Sequence, residues 1–168
     1  MFSRLLILFS FCVVISSCEK VTDSLVTGCT VIPSAVVVPA AEMDSLRAWV
    51  VSHRPASILH PGGFYYEINA KGSGVDTPNV CSVVTVKYAG YLTDGSRFTS
   101  SSEETVPVSF SLSNLIVGWQ RGLPLIRERG SINLYLPPTL GYGAKGTGSI
   151  PANSILLFTI QLTVLKKP

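Results

Sequence analysis

Few side chains in this sequence can carry proton-transfer, nucleophilic or metal chemistry. The two histidines, His53 and His60, both precede the strand-rich part of the chain, which leaves a Ser-His-Asp arrangement without a base near the later serines. His53 falls near the end of a predicted helix, where a ring cation favours the helix dipole. His60, ahead of Pro61-Gly62-Gly63, is expected in solvent. Gly141-Tyr142-Gly143-Ala144-Lys145-Gly146 matches the dinucleotide pattern G-x-G-x-x-G. That pattern needs a helix opening on its third glycine so that the amides face a pyrophosphate. Here Thr147-Gly148-Ser149-Ile150-Pro151 leads into another strand. Of the four cysteines, Cys12 and Cys18 lie in the N-terminal segment, leaving Cys29 and Cys81. Without C-x-x-C spacing they make a poor metal site; in an oxidising compartment the pair favours a disulfide, with two unconnected buried thiols as the alternative. What remains is a set of aromatic and aliphatic residues at turn boundaries, whose chemistry is apolar binding.

The elements that position those residues follow from periodicity. With 168 residues, 46% of them hydrophobic and 14% charged, the chain has apolar material for one core but not the length for two ordinary ones. Pro39 and Pro55 bracket a helix with Met43, Leu46 and Val50 at three- and four-residue spacing and Trp49 beside them. After Gly63 the period changes to two: Phe64, Tyr66 and Ile68 alternate with Tyr65, Glu67 and Asn69. The alternation returns in Val84-Val86-Tyr88, Ile132-Leu134-Leu136 and Leu156-Phe158-Ile160-Leu162. Four or five antiparallel strands are predicted. Between them Ser113-Asn114 are placed to cap a short helix with Leu115, Trp119 and Leu123 on one face, kept short by Gly118, Gly122 and Pro124. One sheet with one short helix on it is an α+β domain.

The N-terminus reads differently. Arg4 is followed by the apolar run Leu5 to Ile15 and then Ser16-Ser17-Cys18. The run is too short to cross a bilayer, which takes about 20 residues, and has the build of a secretory signal. Its end resembles a bacterial lipobox, which implies acylation of Cys18; a plain signal cut elsewhere is the alternative. Residues 1–17 are therefore expected as signal peptide, 18–39 as a lipid-anchored tether, 40–62 as helix and linker, and 63–168 as the functional domain. The formal charge of +3, without a basic run beyond Lys166-Lys167, implies neither nucleic acid nor an acidic membrane surface as partner.

The segments VTVKYAGYLTDGSRF, LIVGWQRGLPLI, INLYLPPTLGYGAKG and IPANSILLFTIQL resemble, in order, the signature blocks of the FKBP-type peptidyl-prolyl cis-trans isomerases over Val84 to Leu165. The resemblance implies a strongly bent antiparallel sheet wrapped around one short helix, with an apolar pocket between them. It places Tyr88, Phe98, Ile116, Trp119, Tyr142 and Phe158 at the catalytic pocket, Trp119 as its floor and Tyr88, Phe98 and Phe158 as walls. The Ile116 amide and Tyr142 hydroxyl would bond substrate carbonyls, and Phe110, Leu115 and Ile150 would complete substrate binding. The helix and strand from Glu42 to Ala70 resemble the N-terminal extension of some envelope members.

The implied activity is isomerisation of X-Pro bonds in exported polypeptides. The expected form is a monomer in the cell envelope, held to a membrane by its lipid on the periplasmic or the outer-surface face, with no cofactor or metal. A non-catalytic or weakly active Pro-peptide-binding or chaperone module on the same fold is the alternative. Two departures from the family pattern bear on it. Thr99 stands where an Asp usually follows the pocket Phe, and Val108 where a further aromatic often lies, which should lower one wall. Glu103 and Glu104 read as solvated loop charges.

Overall fold

The computed structural model describes residues 35–101 and 106–168. The signal and lipid expectations, Cys18, Cys29 and the Glu103-Glu104 pair lie outside them. The first helix, α1 (Ala40–His53), starts on Pro39, whose carbonyl accepts the Glu42 and Met43 N–H groups at 3.1 Å each. It ends at Arg54, because the following Pro55 disfavours the helical conformation there.

Seven strands form one antiparallel sheet: β1 (Ile58–His60), β2 (Phe64–Ala70), β3 (Val83–Tyr91), β4 (Arg97–Ser100), β5 (Val108–Ser111), β6 (Ser131–Leu136) and β7 (Leu156–Lys166). The order across the sheet is β1-β2-β6-β7-β3-β4, with β5 also paired to β3. The three strands beyond the periodic ones, β1, β4 and β5, have three or four residues each, too few for alternation to register. The expected α+β fold holds, with a longer sheet than predicted.

Helical segments pack on both faces of the sheet. On one, Val84, Val86, Ile132, Leu134, Ile160 and Leu162 pack fully buried with Trp119 and Leu123 of the helical segment beneath. On the other, Leu46 and Val50 of α1 pack on Tyr65 and Tyr135, with Met43, Trp49 and Leu157 around them. Hence Phe64 and Tyr65 are both buried although they point to opposite faces. The start of α1 is fastened to the turn after β6 by Glu42, whose carboxylate accepts the Thr139 N–H at 2.8 Å and hydroxyl at 2.6 Å.

Three expectations change. The second helix, α2 (Val117–Gly122), begins later than the Ser113-Asn114 cap would set it. Those two residues belong to a 3-10 turn, Leu112–Asn114, and Ile116 is the N-cap with no side-chain cap bond. The Ser113 hydroxyl is engaged with that of Ser111 at 2.9 Å, while Leu112 is fully buried and draws its turn into the core. His60 is not simply solvated: its ring stacks on Phe64 with centroids 4.4 Å apart, and Nδ1 accepts the Gly62 N–H at 2.9 Å. Burial, then the neighbouring Arg121, hold its pKa below the ordinary value. Third, Gly118 and Gly122 do more than shorten α2, since a Cβ at either would collide with Leu136 or Leu134 of β6. Cys81, in the turn before β3, is disulfide-bonded.

Candidate active site

Tyr88, Phe98, Phe110, Leu115, Ile116, Trp119, Tyr142, Ile150 and Phe158 all line one cavity of about 420 Å³ between α2 and the sheet. The sequence scatters them over 71 positions (88 to 158); the fold brings every one of them together. Trp119 lies at the bottom, 3% exposed, and the close approach allowed by Gly118 and Gly122 seats it there. Tyr88, Phe158 and Phe110 meet it edge to face, with centroids at 5.2, 5.3 and 6.5 Å and interplanar angles of 85°, 89° and 89°. Phe98 in turn meets Phe158 at 5.6 Å and 90°. Perpendicular pairs bring positive ring edges to negative ring faces and contribute about 0.5–1.5 kcal/mol each beyond burial, so the walls hold one another in place.

Local backbone explains how each wall arrives. Tyr88 lies where the partner of β3 changes from β5 to β4. Its N–H and C=O are satisfied there by Ser101, the N–H by the buried Ser101 hydroxyl at 3.1 Å and the C=O by the Ser101 N–H at 2.9 Å. Phe98 swings inward over Gly90, where a Cβ would stand 2.6 Å from the ring. The loop carrying Tyr142 and Ile150 is closed by reciprocal Thr147–Ile150 backbone bonds of 3.0 and 2.8 Å. Gly146, at φ +64°, passes too close to the Ile150 carbonyl for any side chain. The G-x-G-x-x-G stretch is thus a 3-10 turn and loop, and no helix opens on Gly146.

Among the described residues no charged side chain lines the cavity. Its polar side chains are the neutral hydroxyls and the amide of Asn114. The Ile116 N–H meets no acceptor among the described residues, and the buried Trp119 Nε1 has no partner. Burial first, and then the neighbouring Tyr88, push the Tyr142 phenol pKa above its ordinary value, so it stays protonated at neutral pH. Thr99 lines the cavity and offers no carboxylate; the Tyr88 hydroxyl has no hydrogen-bond partner among the described residues. Val108 pairs with Val86 and does not line the cavity.

Sequence reasoning missed the rim, formed by Asn114, Thr147, Gly148 and Ser149. The signal was their adjacency to Leu115 and Ile150 within the matched blocks. A larger hollow of about 530 Å³ opens between the end of α1 and the β3–β4 turn. Arg54 and His53 line it, and Trp49 is stacked on His53 there, a setting unlike the aromatic cavity around Trp119. Among the described residues no group of three His, Cys, Asp or Glu is placed to hold a metal ion.

An antiparallel sheet packed on a short helix, with an aromatic cavity between them that no charged side chain of the described residues lines, defines a pocket for a compact apolar group. Residues 74–163 match the FKBP-type peptidyl-prolyl cis-trans isomerases, and the chain belongs to that family. It is 39% identical over 106 residues to FkpA of Aeromonas hydrophila, spanning 63% of this chain and 39% of that one. It is 43% identical over 122 residues to a probable isomerase of the family in Haemophilus influenzae, spanning 72% and 50%. The crystal structure of Escherichia coli FkpA superposes with a TM-score of 0.67 at 33% identity, covering 76% of this chain and 59% of that one. A Pseudomonas syringae peptidyl-prolyl cis-trans isomerase superposes with 0.65 at 27%, covering 78% and 98%. The chain spans half or less of the curated relatives named here.

Proposed function

We propose that this protein is a peptidyl-prolyl cis-trans isomerase that assists the folding of exported polypeptides at the cell envelope. The observation that carries the reading is the convergence of nine family-matched residues on one aromatic cavity floored by Trp119. Rotation about a peptide bond meets a barrier of about 18–20 kcal/mol because resonance gives the C–N bond double-bond character. The planar amide is more polar than the twisted one. Water solvates the planar form better; a dry aromatic cavity withdraws that advantage and so lowers the climb to the twisted state.

The proline ring, compact and apolar, would sit on Trp119 between Phe98 and Phe158. Ile116 N–H and Tyr142 OH would hold the flanking carbonyls, already oriented before substrate arrives. No step needs an acid, a base or a redox group. Tyr88, Phe98, Ile116, Trp119, Tyr142 and Phe158 are the residues assigned to rate; Phe110, Leu115 and Ile150 are assigned to substrate contact.

The envelope assignment draws on the apolar run from Leu5 to Ile15, on Ile15-Ser16-Ser17-Cys18, and on the engaged Cys81, since such bonds persist in oxidising compartments. In this reading Cys18 is acylated, Cys29 is the partner of Cys81, and residues 18–39 tether a monomeric domain to the membrane.

Exchange spectroscopy on an X-Pro peptide tests the activity, with the parent accelerating isomerisation and Trp119→Ala returning it to the uncatalysed rate. A parent that binds the peptide but does not speed exchange would make the protein a binding module. For the anchor, Cys18→Ser should leave the membrane fraction and lose incorporation of labelled fatty acid. Absence of label from the parent as well would refute acylation.

A further inference from the structure

We infer that Gln120 is a positioning residue that aims the Ile116 amide into the cavity. The inference rests on the isomerase reading for its consequence but not for its geometry. Gln120 lies on α2, one residue after the cavity floor, and does not line the cavity itself. Its side-chain Nε2 donates to the Leu115 carbonyl at 2.7 Å and to the Ser113 carbonyl at 3.2 Å. Its backbone N–H donates to the Ile116 carbonyl at 3.2 Å. One residue therefore grips three carbonyls of the segment that enters the helix. The orientation of its amide is fixed by chemistry, because carbonyl oxygens accept from nitrogen and cannot donate.

The Leu115 carbonyl and the Ile116 N–H belong to the same peptide plane. In a trans peptide the two point in opposite directions. Holding the carbonyl on the Gln120 side therefore turns the N–H away from it, and that N–H meets no acceptor among the described residues. Leu115 and Ile116 are extended, at φ −93°, ψ 165° and φ −56°, ψ 149°, so no helical hydrogen bond holds this plane. Among the described residues only the Gln120 contact to Leu115 does so directly. A bond to the carbonyl also polarises the peptide and makes its N–H a stronger donor. Gln120 thus acts on the substrate's carbonyl through one peptide unit without touching substrate.

The same backbone supplies a control. Ile116 at φ −56°, preceded by an extended Leu115, is a conformation proline adopts without strain; Ile116→Pro removes the N–H and keeps an apolar side chain. Gln120→Glu and Gln120→Met each remove the donor at nearly constant size, and either serves if the other fails to fold. The test uses the full chain, with exchange rates on a Leu-Pro peptide and proton–nitrogen spectra of the Ile116 amide.

A roughly tenfold loss of kcat/KM is expected for Gln120→Glu or Gln120→Met, about 1.4 kcal/mol, with the free Ile116 amide proton moving upfield and its response to added peptide reduced. Added to Ile116→Pro, either change should cost less than a further twofold. An equal loss in both backgrounds, or an Ile116 amide whose position and peptide response are unchanged, overturns the inference. A parent without turnover defeats the isomerase reading instead, while the amide spectra still decide the role of Gln120.

Discussion

Deleting the Tyr142 hydroxyl separates catalysis from folding more cleanly than any other change at the cavity. Tyr142 is 39% exposed and its hydroxyl has no hydrogen-bond partner among the described residues. Tyr142→Phe therefore leaves no buried group unpaired and should shift unfolding free energy by no more than about 0.5 kcal/mol, the usual range for such positions. With substrate present the hydroxyl donates one neutral hydrogen bond, whose net contribution is about 1 kcal/mol. At about 1.4 kcal/mol per tenfold, this is roughly a fivefold loss in kcat/KM.

Because burial and Tyr88 raise the phenol pKa, the parent's rate should stay level through neutral pH and fall only above the ordinary tyrosine range, about 10. Tyr142→Phe should abolish that alkaline limb. Exchange spectroscopy across pH, together with urea unfolding of both proteins, reads all three quantities. A loss under twofold would mean that the hydroxyl does not touch substrate. A loss accompanied by a lower urea midpoint would mean that Tyr142 supports the loop and not the reaction.

Thr99→Asp should give the Tyr88 hydroxyl a charged acceptor and raise the isomerisation rate, by tenfold for each ~1.4 kcal/mol gained at the barrier, with little change in peptide affinity; a parent already as fast refutes the idea that Thr99 limits the site. Gly118→Ala should destabilise by about 1–3 kcal/mol through overpacking against Leu136, despite the better helix propensity of alanine; an unchanged urea midpoint would show that Leu136 yields without cost. His60 binds a proton less readily folded than unfolded, since burial and then Arg121 lower its pKa. Its contribution to stability is therefore complete above the unfolded value of about 6.5 and declines as pH falls through the window down to the native value. The urea midpoint of the parent should drop from pH 7 to pH 5, and His60→Asn should flatten that slope; parallel slopes in the two proteins would clear His60 of the effect.

The sequence by itself determined the long elements and the identity of the pocket. Helix α1 is legible between Pro39 and Pro55 because two prolines and a three-to-four spacing are local signals. The long strands β2, β3, β6 and β7 are legible because alternation persists over six or more residues. The nine cavity residues were found through the order of the family blocks, since a lone Trp119 or Phe158 reads equally well as core.

Tertiary structure decided the rest. Strands β1, β4 and β5 exist because β2 and β3 offer them edges to pair with, not because three or four residues prefer the strand. His60 is half-buried because Phe64 and Arg121 close on it, and Tyr65 is buried because α1 happens to cover its face. The start of α2 was set by the burial of Leu112, against the capping signal of Ser113-Asn114. Gln120 lies inside a matched block, yet the block says nothing of its role: that depends on which carbonyls stand within 3.2 Å of one nitrogen, and a hydrogen bond of that range is a property of distances that the folded chain alone fixes.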